Sequence, residues 1–175
     1  MADNPTVSNE LVLRCQFASY MKCASDGEFH LIGEGFTSFP IALYPVEYSR
    51  KYINYKTTKT DVIGYAPSVS YSCDCIKGDP VVEDIVALTD AEALGTDTHR
   101  EIVSVNLWDK DENGKCKAYK RTWAIIPGNK GDGTDAMVYA GTMKAVSDQI
   151  EGTFDPATNT FTEKAAAAEP AAQTS

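Results

Sequence analysis

The run V-E-Y-S-R-K-Y-I-N-Y-K-T-T-K-T-D-V-I-G-Y-A-P-S-V-S-Y-S-C-D-C-I, Val46 to Ile76, decides how the rest of the chain is read. Val46, Tyr48, Tyr52, Ile53, Tyr55, Val62, Ile63, Tyr65, Val69 and Tyr71 give it aromatic and β-branched density. Residues 68 to 75 alternate small polar with larger side chains, so both ends read as strand. The middle differs: from Ser49 to Lys59 it carries Arg50, Lys51, Lys56 and Lys59 and no acid, yet keeps Tyr52, Ile53 and Tyr55. A basic, aromatic, β-prone arm is accounted for by a surface that receives it, and on an acidic chain another copy of the same chain supplies one. An ordinary long hairpin whose rings fold back on the sheet is the other reading of the pattern.

The chain has 175 residues, enough for one domain with a sizeable core. Asp and Glu number 25 against 16 Lys and Arg, a formal charge of -9, which argues against nucleic-acid grip through phosphate contacts. Met1 to Leu13 has no basic start followed by an apolar run, and no apolar stretch is long enough to span a bilayer. A soluble chain without a secretory signal is expected, with no membrane partner.

Five cysteines, Cys15, Cys23, Cys73, Cys75 and Cys116, form an odd set without C-x-x-C units, so neither a disulfide framework nor a four-thiolate zinc site is indicated. Cys73 and Cys75, two apart on a strand, are expected on one side of the sheet as small core or interface residues.

Residues 1–9 read as a mobile arm. Leu11 to Met21 does not settle between short helix and strand. Ser25-Asp26-Gly27 predicts a turn, Phe29 to Ile32 a short strand ended by Gly33-Glu34-Gly35, and Pro40 and Pro45 exclude Phe36 to Leu43 from a central strand. Asp79-Pro80 predicts a capped helix over V-V-E-D-I-V-A-L-T-D-A-E-A-L, with Glu83 and Asp84 in its first turn and Val81, Ile85 and Leu88 on its apolar face, ending near Gly95. Glu101 to Trp108 alternates as a strand, turning at Asn113-Gly114 into a partner over Lys117 to Ile126. Gly128 to Asp135 reads as a glycine-rich loop. Ala136 to Val146, Ile150 to Phe154 and Thr160 to Thr162 are the last strands. From Glu163 on, the alanine-rich composition predicts a disordered tail. Many short strands and one helix predict a mainly β fold: a β-sandwich or partly open barrel with one flanking helix, a long protruding hairpin and flexible terminal arms.

No motif for chemistry survives its own spacing requirements. Asp109-Lys110-Asp111-Glu112-Asn113-Gly114 opens like a calcium loop, but the twelfth position is Lys120 and strands flank it. Gly128 to Thr134 lacks the lysine a phosphate cradle places directly before its threonine. His30 and His99 stand in unrelated contexts, nothing local activates a cysteine beside either, and no G-x-S-x-G elbow exists. No catalytic residue, metal ligand or cofactor is expected, and the chain is read as no enzyme.

The order of several pieces carries a resemblance. Gly33-Glu34-Gly35-Phe36-Thr37-Ser38, Lys51-Tyr52-Ile53-Asn54 and Asp61-Val62-Ile63-Gly64-Tyr65-Ala66-Pro67-Ser68 are followed by the helix opening Gly78-Asp79-Pro80-Val81. Then come the strand Val103 to Trp108 and the close Glu151-Gly152-Thr153-Phe154-Asp155 with Thr160-Phe161-Thr162. Over residues 10–162 this resembles the major tail tube proteins of long-tailed, siphovirus-type bacteriophages and related prophages. The resemblance implies a structural virion protein of a single tail-tube-like domain (10–162), between an arm at 1–9 and a tail at 163–175. Six copies would close into a ring, and rings would stack into a hollow tail tube through which DNA passes unbound. Other tail proteins, such as tape measure and tail-end proteins, would be partners, and the place of action would be the virion after synthesis in the host cytoplasm. In that family the long hairpin and the terminal arms reach to neighbouring subunits, so Glu47 to Thr60 would be the inter-ring arm. Arg50, Lys51, Tyr52, Ile53, Asn54, Tyr55 and Lys56 are therefore the expected subunit-interface residues. Five cysteines depart from the family's pattern. A tail terminator or joining protein that forms one ring is the near alternative. A monomeric β-sandwich binding module, using the 128–135 loop and the hairpin tip, is the alternative from another class.

Overall fold

The computed structural model describes residues 10–132 and 134–164. The expected arm at 1–9 and the tail from 165 onward lie outside the described residues. Among those described, the elements in chain order are β1 (Phe17–Lys22), β2 (Phe29–Ile32), β3 (Phe36–Ser38), β4 (Ile41–Ala42), β5 (Pro45–Arg50), β6 (Lys59–Tyr65), β7 (Ser68–Asp74), α1 (Pro80–Asp90), β8 (His99–Lys110), β9 (Cys116–Asp132), β10 (Val138–Ala145), β11 (Ile150–Asp155) and β12 (Thr160–Glu163). The fold is mainly β, an open sheet curled into a half-barrel with one flanking helix.

The 17-residue strand β9 organises the sheet. Along one edge it pairs with β8. Along the other, its first half (from Cys116 to Lys120) pairs with β11 and its second half (from Trp123 to Asp132) pairs with β10. Two different strands follow one another down the same edge, so the sheet divides there and curls. The path β2-β1-β8-β9-β10-β7-β3 carries the larger half, with β11 and β12 as the flap.

Period-two alternation assigns the two faces. Ile102, Trp123, Ile125, Met143, Tyr71 and Met21 point to one side and pack under α1 through Val81, Ile85 and Leu88. Val103, Val105, Cys116, Ala118, Ala18 and Tyr20 point to the other and surround Phe154 from the flap. Strand β8 is therefore buried on both faces, which its sequence E-I-V-S-V-N-L-W foreshadows with apolar residues at both parities.

The helix begins where its cap predicts. The Asp79 carboxylate accepts from the backbone N–H of Val81 and Val82, both at 2.9 Å, with Pro80 at the first turn. Its end corrects the expectation of Gly95. Glu92 takes φ +48°, the Ala93 N–H reaches back to the Leu88 carbonyl and the Glu92 N–H to that of Thr89, closing a left-handed cap after Asp90. Asp84, expected only to favour the helix dipole, makes a two-pronged pair with Arg100 (2.7 and 2.8 Å) that ties α1 to β8. Asp79→Ala should cost about 1 kcal/mol, read as a lowered midpoint in urea with unchanged slope.

One reading left open is decided, and three more expectations change. Leu11 to Met21, undecided in sequence, opens without regular secondary structure, makes a 3₁₀ turn at Arg14–Gln16, and is then strand. The loop expected from Gly128 to Asp135 is strand as far as Asp132, and a β-carbon on Gly128 would press on the Ala140 carbonyl at 3.2 Å, so this glycine serves close strand approach. Cys75 falls beyond the end of β7 and is exposed, while Cys73 is buried in the core, so the two do not share a face. At the C-terminal end β12 includes Glu163, and the Lys164 N–H donates to the Glu151 carbonyl.

Candidate subunit interface

Among the described residues, strands β5 and β6 pair only with each other, as a separate two-stranded sheet. The register runs from Pro45 opposite Tyr65 to Arg50 opposite Lys59, with an irregularity between Val46 and Glu47. The hairpin springs from a sharp redirection at Tyr44, whose φ of +44° lies in the left-handed region. Just beyond it the Ala66 N–H donates to the Tyr44 carbonyl at 3.0 Å and closes the base. All of β5 is exposed, and all of β6 except half-buried Gly64. The rings do not fold back on the main sheet.

Arg50 and Lys59, like charges directly opposed, would repel. Each instead lies over a ring of its own hairpin: Arg50 over Tyr48 at 5.4 Å and Lys59 over Tyr55 at 4.4 Å. On the other face Ser49 and Thr60 join their hydroxyls at 2.8 Å. The tip closes with the Tyr55 N–H donating to the Tyr52 carbonyl at 3.1 Å. Tyr48, Tyr52, Asn54, Tyr55 and the two opposed cations line a shallow recess of about 460 Å³. Ile53, at the apex, is 109% exposed, meaning that it is fully solvated. Lys51 and Lys56 flank it in the solvent.

The seven residues singled out from sequence, Arg50 to Lys56, are therefore contiguous at the hairpin end. Sequence reasoning missed the length of the apolar display: Val46, Val62, Ile63 and Tyr65 continue it down both strands, with Leu43 and Tyr44 beside the base. The signal was present in β-branched runs on both strands, but periodicity alone could not reveal that neither face is covered.

Elsewhere the chemistry-bearing residues are occupied structurally. Asp111 accepts the backbone N–H of Asn113 and of Lys115, both at 2.9 Å, and so shapes a hairpin turn. His30 pairs with Asp26 at 2.7 Å. Burial pushes the Cys23 thiol up to about 12 and the Cys73 thiol up to about 11, so neither supplies thiolate at neutral pH. Among the described residues no group of three or more His, Cys, Asp or Glu could hold a metal ion, and no helix is long and apolar enough to cross a membrane.

No family model matches this chain, and no curated protein matches it. Solved structures do. A chain of the anti-feeding prophage baseplate, from a 6-fold symmetrised cryo-EM structure, is similar with a TM-score of 0.50 and 8% identity, over 82% of this chain and 96% of that one. A chain of an extracellular contractile injection system, the PVC sheath-tube complex in the extended state, gives 0.47 and 11% over 83% and 94%. A chain of the anti-feeding prophage tube terminating cap gives 0.44 and 12% over 86% and 99%. At 8% identity the first likeness is one of fold: this chain shares its curled open sheet with a component of a prophage baseplate.

Proposed function

We propose that the chain is a non-enzymatic structural subunit of a phage-type tail, built to assemble with copies of itself into stacked hexameric rings that form the tail tube. The observation that carries this reading is the hairpin β5–β6, a ribbon unpaired with the main sheet that displays Tyr52, Ile53, Tyr55, Val62 and Ile63 to solvent. An isolated two-stranded hairpin is marginal in water, and exposed apolar surface of this extent marks a contact site. The fold likeness to a component of a 6-fold symmetrised particle supports the same reading. Residues Arg50 to Lys56 form the contact between successive rings, and the domain over 10–162 is the repeating unit.

Rings follow from a heterologous contact that closes by rotation, and tubes from the same rings repeated by translation. Curled open sheets from six copies would also satisfy their free edges in a common barrel. With a net charge of -9, a lumen carrying part of the surplus carboxylate would repel phosphate and let a duplex slide. Tape measure and tail-end proteins are the further partners, and the virion is the place of action.

The test is negative-stain electron microscopy of concentrated protein with hydrogen exchange across residues 46–61 on the same sample. Rings or tubes of uniform width, with that segment protected only after assembly, are the expected result. Monomers whose hairpin is already protected would transfer the reading to a monomeric binding module.

A further inference from the structure

Three non-glycine residues take positive φ among the described residues, and two of them have ordinary reasons. Glu92 closes the helix cap, and Asn159 sits in the turn between β11 and β12. Tyr44 has neither reason. It is bulky, it is 61% exposed so that packing does little to hold its ring, and it stands directly before Pro45. Left-handed backbone is unfavourable for such a side chain, and a following proline pushes a residue towards extended backbone. Outliers of this kind persist only where something opposes their relaxation, and they gather at switches.

The base of the hairpin offers little opposition. The body holds the first leg as far as Ala42, opposite Ser68, and the second from Pro67, whose carbonyl accepts from the Ala145 N–H at 3.1 Å. The hairpin itself begins at Pro45 opposite Tyr65. Between these anchors lie Leu43 and Tyr44 on one leg and Ala66 on the other, joined by the Ala66 N–H donating to the Tyr44 carbonyl. Pro45 has a fixed φ, so Tyr44 sets the direction in which the ribbon leaves. Recesses flank both legs, one of about 510 Å³ between residues 64–67 and 145–148 and one of about 280 Å³ beside Leu43, leaving room for the ribbon to move. With six residues in its first strand the ribbon is about 20 Å long, so a swing of about 30° carries its tip about 10 Å.

We infer that Tyr44 is a hinge with two settings, left-handed as in this structure and extended, and that the hairpin serves assembly only in the first. In the left-handed setting both faces of the ribbon stand clear of the body. The extended setting gives up the bond to Ala66 and turns the ribbon out of line. A contact site offered for only part of the time binds with an affinity lowered by that fraction, which restrains free subunits from associating early. The consequence for assembly rests on the self-assembly reading, and the hinge itself does not.

The experiment places spin labels at Thr58→Cys on the hairpin and Lys144→Cys on the body of the full-length protein, with the exposed Cys15 and Cys75 replaced by serine. Pulsed electron resonance in dilute solution then measures their separation. The parent should give two distances, the minor one above about 5%. Tyr44→Asn, which tolerates left-handed backbone, should keep only the distance of this structure. Tyr44→Val, β-branched and ill suited to that region, should keep only the other. Thermal melts should match the parent, because Tyr44 belongs to neither core cluster. Light scattering over a concentration series on unlabelled protein should show Tyr44→Val assembling only at concentrations at least about tenfold above the parent's, and Tyr44→Asn at lower ones than the parent. A single distance in the parent overturns the hinge, as do two distances whose weights ignore residue 44. Distances that respond while assembly concentrations stay put overturn its role in assembly. Should neither parent nor variants form rings or tubes, the function proposed above falls, and the distances still decide the hinge.

Discussion

Replacing Tyr52, Ile53 and Tyr55 together with serine should abolish ring and tube formation while leaving the subunit folded. The three side chains are exposed, Ile53 completely, and contribute no core contact. Surface changes of this kind usually alter stability by less than about 0.5 kcal/mol, so the thermal melt of the monomer should stay in place. At an interface the balance is different. Aromatic anchors are where binding energy concentrates, at about 2 kcal/mol or more each, and an assembly repeats the contact at every subunit. Losing three anchors per copy should shift the concentration needed for assembly by several orders of magnitude, which light scattering over a concentration series would measure. Shortening the hairpin to an Asn-Gly turn between Ser49 and Thr60 should act the same way, since the Ser49–Thr60 hydroxyl pair remains to close it. Normal tubes from either variant would remove the hairpin from the interface and with it the main support for the proposed function.

Phe154→Ala should be the most damaging single core change, costing about 3–5 kcal/mol. Phe154 is fully buried, with its ring centroid 4.4 Å from that of Tyr20 and 6.1 Å, edge-on, from that of Phe29. It is the main apolar plug between the flap β11–β12 and the sheet, with Cys116 and Ala118 beneath it. Small neighbours cannot collapse into the space a phenyl ring vacates, so the cavity persists. For a domain of this size the loss corresponds to roughly 10 °C in melting temperature, which circular dichroism would show. Hydrogen exchange should rise first in 150–163, because among the described residues β11 is paired with β9 and β12 alone. Phe154→Leu, which keeps most of the volume, should cost less than half as much. Equal effects of the two would mean that the flap is not held by this ring.

Much of the fold was legible because its signals are local. Phe29 to Ile32 is bounded by turn residues on both sides and appears with those bounds. Asp79-Pro80 carries its own capping chemistry, and the side chain bonds where a cap must. From Glu101 to Trp108 apolar residues stand at both parities because both faces of the strand are buried. The misreadings came where a residue's local meaning was overridden from a distance. Gly128, Asn129 and Lys130 look like loop, yet β10 lies alongside and pairs with this stretch through a ladder that shifts register twice. Gly95 looks like a helix stop, but Glu92 had already taken the left-handed turn. Asp84 and Arg100, 16 apart in sequence, have no pattern that announces a buried pair.

The candidate interface divides in the same way. Its basic and aromatic character, and the position of Arg50 to Lys56 at a hairpin end, are matters of composition and turn chemistry, which the chain carries residue by residue. That both faces of the hairpin stand clear of the body is a property of the folded molecule, because burial depends on what lies opposite in space. The same holds for Arg121, whose Nε is buried without a hydrogen-bond partner among the described residues. In sequence it is one cation among 16 basic residues. Only the folded sheet, with β8 paired alongside β9 and Trp123 two residues further along the strand, buries that nitrogen.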